Sequence, residues 1–342
     1  MVATLSGRLT KTCHNRRIVK RLLVATVAVI VLAALGACGG AETGAGEGED
    51  VARGTIGFSA MTLKNPFFKI IADTMTAEAE RHGFDVVVTD AERDVNRQSQ
   101  QVDNFLASGV AAIVLNPVDR IAIGPAVRRA NEAGVPVFTS DLQAVAEGVE
   151  IAGHVGTDNY QGGLLAGEAM IEALGEAGGE VLVLHFKQAN SCVLRVDGFR
   201  QAIGEYNRDR TEGRIEIVAE LEGGGLRDEG YRAMADGIQA YPDLAGVFAI
   251  NDPSALGART ALEQAGRADQ VKIVGFDGEL AGKQAIRDGK IYADPIQYPD
   301  RMGVMTVRNI VSYLDGEDFE RVHLIPTALY RQSDAEQDPA LD

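Results

Sequence analysis

From residue 54 onward the chain alternates short β-rich runs with helical patterns, and it does so in two successive arrays. The first array has strand-like runs at 54–59, 84–89, 111–115 and 135–139; the second begins after residue 155, with runs at 180–184, 214–221, 246–250 and 271–275. This is the βαβ rhythm of a parallel sheet. The spacing predicts a helix between the first two runs: Asn65-Pro66 gives its start, Ile71, Met75 and Ala79 share one stripe, and Gly83 stops it. A second stripe, Tyr231, Met234, Ile238 and Tyr241, recurs at helix spacing and reads as core. About 290 residues follow position 52, too many for one typical core, so an α/β protein of two similar lobes is expected.

Ahead of this body lies a leader. Residues 1–37 carry six basic residues and no acidic ones, and an apolar run from Leu22 to Leu35 ends in small residues, the layout of an export signal. That run is short for a bilayer span. Leu35-Gly36-Ala37-Cys38 resembles a bacterial lipobox, so Cys38 is expected to become the lipid-modified first residue of the mature chain. Arg16-Arg17 sits in surroundings that fit a twin-arginine signal poorly. Residues 38–52 are Gly-, Ala- and Glu-rich without periodicity and read as a lipidated flexible tether. Removing the leader leaves 27 basic against 49 acidic residues, a formal charge of −22, which disfavours nucleic acid and anionic headgroups as partners. With Cys13 removed and Cys38 lipidated, Cys192 stands alone, so neither an intrachain disulfide nor a cysteine metal site is available.

In open parallel sheets, ligands bind beyond the carboxyl ends of the strands. Reading just past each run selects Asn65, Phe67 and Phe68, then Asp90, Asn116, Asp141, a loop from Gln188 to Arg195, Asn251 and Asp252, Phe276 and Asp277, and Gln297. Planar polar groups of this kind grip neighbouring hydroxyls in pairs, while aromatic faces cover the C–H surface of a sugar ring. Each residue also has a plain structural reading: Asn65 as a helix cap, Asp141 and Asp277 as partners of loop amides, Phe67 or Phe68 as core. No Walker-type loop occurs, and Gly223-Gly224-Gly225 lacks the spacing of a dinucleotide site, so no cofactor is expected.

Asn65-Pro66-Phe67-Phe68, Asp141, Thr157-Asp158-Asn159, Arg195 with Gly198-Phe199, Asn251-Asp252 with Ala255-Leu256-Gly257-Ala258, Gly275-Phe276-Asp277-Gly278 and Gln297 occur in that order. Together they resemble the ribose-binding family of bacterial solute-binding proteins across nearly the whole body. The resemblance implies a type I periplasmic-binding-protein fold with three crossing segments at a hinge. It implies an N-terminal lobe of residues 53–157 plus 298–326 and a C-terminal lobe of 158–297 plus 327–342. It also implies a ligand held by Asn65, Phe67, Phe68, Asp141, Arg195, Asn251, Phe276, Asp277 and Gln297. Leu142 stands where ribose-binding members carry an arginine, and Gly225 where they carry an aromatic. Val193-Leu194-Arg195, Asn251-Asp252-Pro253 and Gln297-Tyr298-Pro299 look more like fructose-binding members.

The expectation is a monomeric, exported lipoprotein, anchored to the cell membrane and facing the periplasm or the exterior. It would pass a hexose such as fructose, a pentose such as ribose, or a polyol to an ABC permease. A receptor presenting its ligand to a sugar-sensing system is the alternative. An enzyme is disfavoured, because there is no G-x-S-x-G or H-E-x-x-H and the histidines at 82, 154, 185 and 323 are scattered; a sugar-responsive DNA-binding regulator would need a helical unit where the leader stands. The acidic tail after Gln332 reads as frayed.

Overall fold

The computed structural model describes residues 53–342. The signal, the tether and Cys38 lie outside the described residues. Among those described, no helix is long and apolar enough to cross a membrane.

The first sheet is built from β1 (Gly54–Ala60), β2 (Phe84–Asp90), β3 (Ala112–Leu115), β4 (Val137–Ser140) and β5 (Gly153–Thr157), interleaved with α1 (Pro66–Arg81), α2 (Val95–Ser108) and α3 (Gly124–Glu132). The chain then lays down α4 (Asn159–Leu174), β6 (Gly179–His185), α5 (Asn190–Asn207), β7 (Ile215–Glu222), α6 (Arg227–Ala240), β8 (Leu244–Ala249), α7 (Asp252–Gln264), β9 (Lys272–Val274), α8 (Leu280–Arg287) and β10 (Ala293–Ile296). It closes with α9 (Pro299–Asp315), β11 (Val322–Ile325), β12 (Ala328–Arg331) and α10 (Gln332–Ala335).

The strand orders are β11-β5-β4-β3-β1-β2 and β12-β10-β9-β8-β6-β7. Every pairing is parallel except β10 with β12. Each sheet therefore has its change of winding beside its first strand, between β1 and β3 and between β6 and β8, where a crevice forms at the carboxyl ends. β3 and β4 are buried along their whole length, as expected of strands covered by helices on both faces.

The chain passes between the sheets three times, at 157–159, 296–299 and 325–328. These passages are stitched together: Thr157 Oγ1 donates to Gln297 Oε1 at 2.7 Å, Asp158 N to the Ile325 carbonyl at 2.9 Å, and Thr327 N to Gln161 Oε1 at 3.0 Å. After the second passage α9 returns to lie on α1, where Gly303 leaves no room for a Cβ against the Ile71 carbonyl and Thr74.

The tail is not frayed. Beyond α10, Leu341 is buried, its carbonyl accepts from Arg287 Nη1 at 2.6 Å, and Asp338 takes Lys283 Nζ at 2.9 Å and the Tyr330 hydroxyl at 2.8 Å. Those two donors, with the Ala340 amide, hold Asp338 down at about 2. The acidic composition that looks disordered in isolation is matched by bases on α8.

Candidate ligand-binding site

Asn65 is the N-cap of α1: its Oδ1 accepts from Phe67 N at 2.8 Å, which fixes the turn presenting Phe67 and Phe68 edge to face, 5.5 Å apart. Asn251 does the same for α7, accepting from Ser254 N at 3.0 Å and donating through Nδ2 to the Gly225 carbonyl at 3.0 Å. The capping reading of Asn65 is therefore right, Asn251 is a cap as well, and both also line a cavity between the two sheets.

Asp141 follows β4 with φ of 60°, and Asp277 follows β9 with φ of 109°, a conformation that costs a non-glycine residue free energy. At each position the strained backbone turns a carboxylate into the cavity. Asp277 N and O still bond β10, to Pro295 O at 3.1 Å and from Gln297 N at 2.8 Å, so the residue is pinned on both sides.

Arg195 lies on α5, not in a loop before it. Its height in the cleft is set by helix packing: Gly163 of α4 and Gly198 of α5 each face the other helix's backbone so closely that no Cβ would fit. The guanidinium is almost fully buried. Nε donates to Asn159 Oδ1 at 2.7 Å, and Nη1 donates to the Ile250 carbonyl at 2.7 Å and to Asp277 Oδ1 at 2.9 Å. Gln297 Nε2 reaches the same Asp277 oxygen at 2.6 Å. The protein's own bonds thus occupy Arg195 Nε and Nη1 and Asp277 Oδ1, and leave Arg195 Nη2 and Asp277 Oδ2 without a hydrogen-bond partner from the described residues.

Asp141 has no such partner. It is buried, its Oδ1 has no hydrogen-bond donor, and burial pushes it up to about 7, with Arg195 pulling down and Asp277 pushing further up. Glu279, just past Asp277, is pushed up to about 8, chiefly by burial and then by the Asp277 charge, while the Asn65 amide across the cleft draws it down. Behind the site the carboxyls of Asp252 and Asp294 are fully buried beside one another. Asp252 Oδ2 takes Glu279 N at 2.6 Å, but Asp252 Oδ1 and both Asp294 oxygens find no N–H or hydroxyl donor. Burial and then the Asp294 charge raise Asp252, and burial raises Asp294 to about 6, which favours the protonated form of the pair.

Eight of the nine expected site residues line the cavity. Phe276 does not: its ring lies 3.8 Å below the Arg195 guanidinium and packs against Gly162, so it supports Arg195 from behind. Asp90 and Asn116 are also spent on the fold, Asp90 accepting from Glu92 N and Asn116 donating to the Ser140 carbonyl. The sequence reading did not find six residues of the cavity wall, Met61, Thr62, Arg93, Phe186, Leu226 and Ile250, of which Phe186 and Arg93 bring a ring face and a charge. Phe186 stands immediately after β6 and the strand-end rule could have found it; Arg93 lies three residues past β2, with no local signal. His323, one of the scattered histidines, lies in strand β11. Cys192 lines the cavity with its thiol pushed up to about 11 by burial. Among the described residues, no group of three or more His, Cys, Asp or Glu is placed to hold a metal ion.

Two like lobes enclosing polar groups and aromatic faces at both strand-order switch points define a two-lobed ligand-binding protein. Residues 56–318 match the periplasmic binding protein domain family, and the chain belongs to that family. The ribose import binding protein of Escherichia coli is 35% identical over 268 residues, covering 78% of this chain and 87% of that one. A D-apiose import binding protein of Paraburkholderia graminis is 36% identical over 233 residues, covering 68% and 72%. An ABC transporter solute-binding protein of Mycobacterium smegmatis, solved with bound glycerol, is 32% identical with a TM-score of 0.76, covering 83% of this chain and 96% of that one.

Proposed function

We propose that this protein is the substrate-binding component of an ABC importer, capturing one monosaccharide or polyol in the cleft and delivering it to a membrane permease. The observation that carries the reading is the composition of the cavity wall. Its charged residues, Arg93, Arg195, Asp141 and Asp277, sum to zero, and Phe67, Phe68 and Phe186 add ring faces. A neutral ligand rich in hydroxyls satisfies this wall, whereas an ionic one leaves a buried charge uncompensated. On this reading Asp141, Arg195 Nη2 and Asp277 Oδ2 take hydroxyls, Asn65, Asn251 and Gln297 add amide contacts, and Phe67 and Phe68 cover C–H faces. The import and binding roles named for the relatives support the same class.

Within that class the fructose-like segments and the departures Leu142 and Gly225 favour a hexose such as fructose, ahead of a pentose such as ribose or a polyol. Binding without chemistry is supported by the burial of the side chains a catalyst would use, which makes His154 and His185 weak bases, lowered to about 4, and raises the Cys192 thiol to about 11, away from the thiolate. The lobes 53–157 plus 298–326 and 158–297 plus 327–342 would close about the three passages, and Cys38 would hold the exported chain to the membrane.

A thermal-shift screen of residues 53–342 against pentoses, hexoses and polyols tests the function. A cognate sugar at a hundred times its dissociation constant adds about 2.7 kcal/mol of stability and is recovered unchanged. No shift from any member of the panel, or recovery of a converted sugar, would overturn the proposal. Mass spectrometry of the mature amino terminus tests the anchor, where an unmodified chain starting elsewhere and still membrane-bound is the adverse result.

A further inference from the structure

Arg93 is held in an unusual way. Glu92 and Arg93 both have positive φ, 51° and 61°, in the left-handed region that residues with a Cβ enter at a cost. The turn is pinned by Glu92 N to Asp90 Oδ1 at 2.7 Å, by Arg93 N to the Met61 carbonyl at 2.9 Å, and by the Arg97–Glu92 ion pair. So constrained, the side chain leaves the first lobe and crosses the cleft. Its guanidinium lies 5.0 Å from the Phe186 ring centroid, and Nη2 donates to the Gly224 carbonyl at 2.7 Å. Gly224 and Gly225 have φ of 58° and 71°, which lets their loop turn tightly enough to present that carbonyl. The Arg93 side chain is 24% exposed and lines the cavity, so it forms the boundary between ligand space and solvent.

We infer that Arg93 is a cross-cleft latch that fixes the upper size of the ligand, a single sugar ring with no substituent reaching past the guanidinium. This rests on the function proposed above. Arg93 Nη2 also lies 3.8 Å from the Glu229 carboxylate on the far side of the cleft, so a ligand extended toward Arg93 must displace it from Gly224, Phe186 and Glu229. Release of an enclosed ligand must break the same three contacts, so the latch acts on dissociation more than on association. Arg120 supplies an internal control. It too crosses the cleft, through its backbone N to the Gln188 carbonyl at 3.0 Å and Nη1 to Asn190 at 3.2 Å, but it does not line the cavity.

The test compares wild type, Arg93→Ala, Arg93→Lys and Arg120→Ala by stopped-flow release of D-ribose, D-fructose and D-allose, by titration with the methyl glycoside of whichever sugar binds, and by solution scattering of each empty protein. Arg93→Ala should release sugar at least tenfold faster with association little changed, narrow the preference for free sugar over methyl glycoside at least tenfold, and enlarge the empty protein's radius of gyration. Arg93→Lys should fall between, and Arg120→Ala should leave the glycoside preference at the wild-type value. A release rate within twofold of wild type, or an empty scattering curve that superimposes on wild type, overturns the latch. Failure of wild type to bind any of the three sugars overturns the proposed function instead, and the scattering comparison still decides the latch.

Discussion

The two walls of the cleft handle their charges in opposite ways. In the C-terminal wall Arg195, Asp277, Gln297 and Asn159 are already bonded to one another and to the Ile250 carbonyl, with Phe276 stacked beneath. In the N-terminal wall the one carboxylate, Asp141, stands buried with no donor on Oδ1 and none supplied by its neighbours. One wall is organised in advance and the other is completed by what it binds. Preorganised groups spend little free energy on ordering when a ligand arrives, whereas an unpartnered carboxylate gains most from a hydroxyl placed against it. The preorganised wall should therefore matter to the fold as well as to binding, and the other to binding alone.

The sharpest break is Asp277→Ala. It strips Arg195 of its counter-charge in a nearly water-free site, and breaking a buried pair from one side costs about 3–5 kcal/mol. Unfolding of the empty variant should show that loss, and calorimetry should find ligand binding abolished. Intact stability would mean the pair is not coupled to the fold.

Asp141→Asn should do the reverse. Losing a charged acceptor weakens binding about tenfold to a hundredfold, equivalent to about 1.5–3 kcal/mol, while the empty protein becomes more stable near neutral pH. Burial raises the Asp141 carboxyl from 3.8 to about 7. The stabilisation tied to its proton is therefore present below pH 4 and is lost as pH rises through 7. A side chain that cannot ionise removes that slope from a series of melting curves; an unchanged slope would place the titration elsewhere.

Asp294→Asn tests the acid pair behind the prepared wall in the same manner over a narrower window. With Asp294 raised to about 6, wild type loses stability from pH 4 to 6, and the variant should lose less over that interval. The smallest effect expected is from Phe276→Leu, which keeps the core filled but removes the ring under Arg195. A few-fold drop in affinity with melting lowered slightly would fit support from behind; a drop as large as that of Asp277→Ala would put Phe276 in contact with the ligand.

Much of this is legible because central parallel strands, buried on both faces, become apolar runs, while the edge strands at 84 and 215 still carry β-branched residues between their charges; the strands at 54, 84, 112, 137, 179, 215, 244 and 272 lie within two residues of the expected runs. β5 and β10 to β12 do not, for physical reasons. Gly153-His154-Val155-Gly156-Thr157 holds two glycines and a histidine satisfied by Thr139, and Ala293-Asp294-Pro295-Ile296 puts an aspartate and a proline where strand propensity is lowest. Asp294 sits there beside Asp252 with its carboxyl raised by burial to about 6, and Pro295 needs only its carbonyl, which takes Asp277 N. Both partners are remote in sequence. For the site, strand ends located the right loops, but direction within a loop was invisible: Phe276 and Asp277 are adjacent and face opposite ways.

The third passage between the sheets has a consequence for the order in which the protein can be assembled. β11 is the edge strand of the first sheet, yet it is made after the whole second sheet except β12. A nascent chain that has reached Gln297 already contains all nine expected site residues, but its first sheet ends in an unpaired β5 and its α1 is bare of α9. Such an edge is a template for pairing with other chains. The first lobe to be synthesised is thus among the last to be sealed, and folding of the two halves is tied to the arrival of the final forty or so residues rather than proceeding one domain at a time.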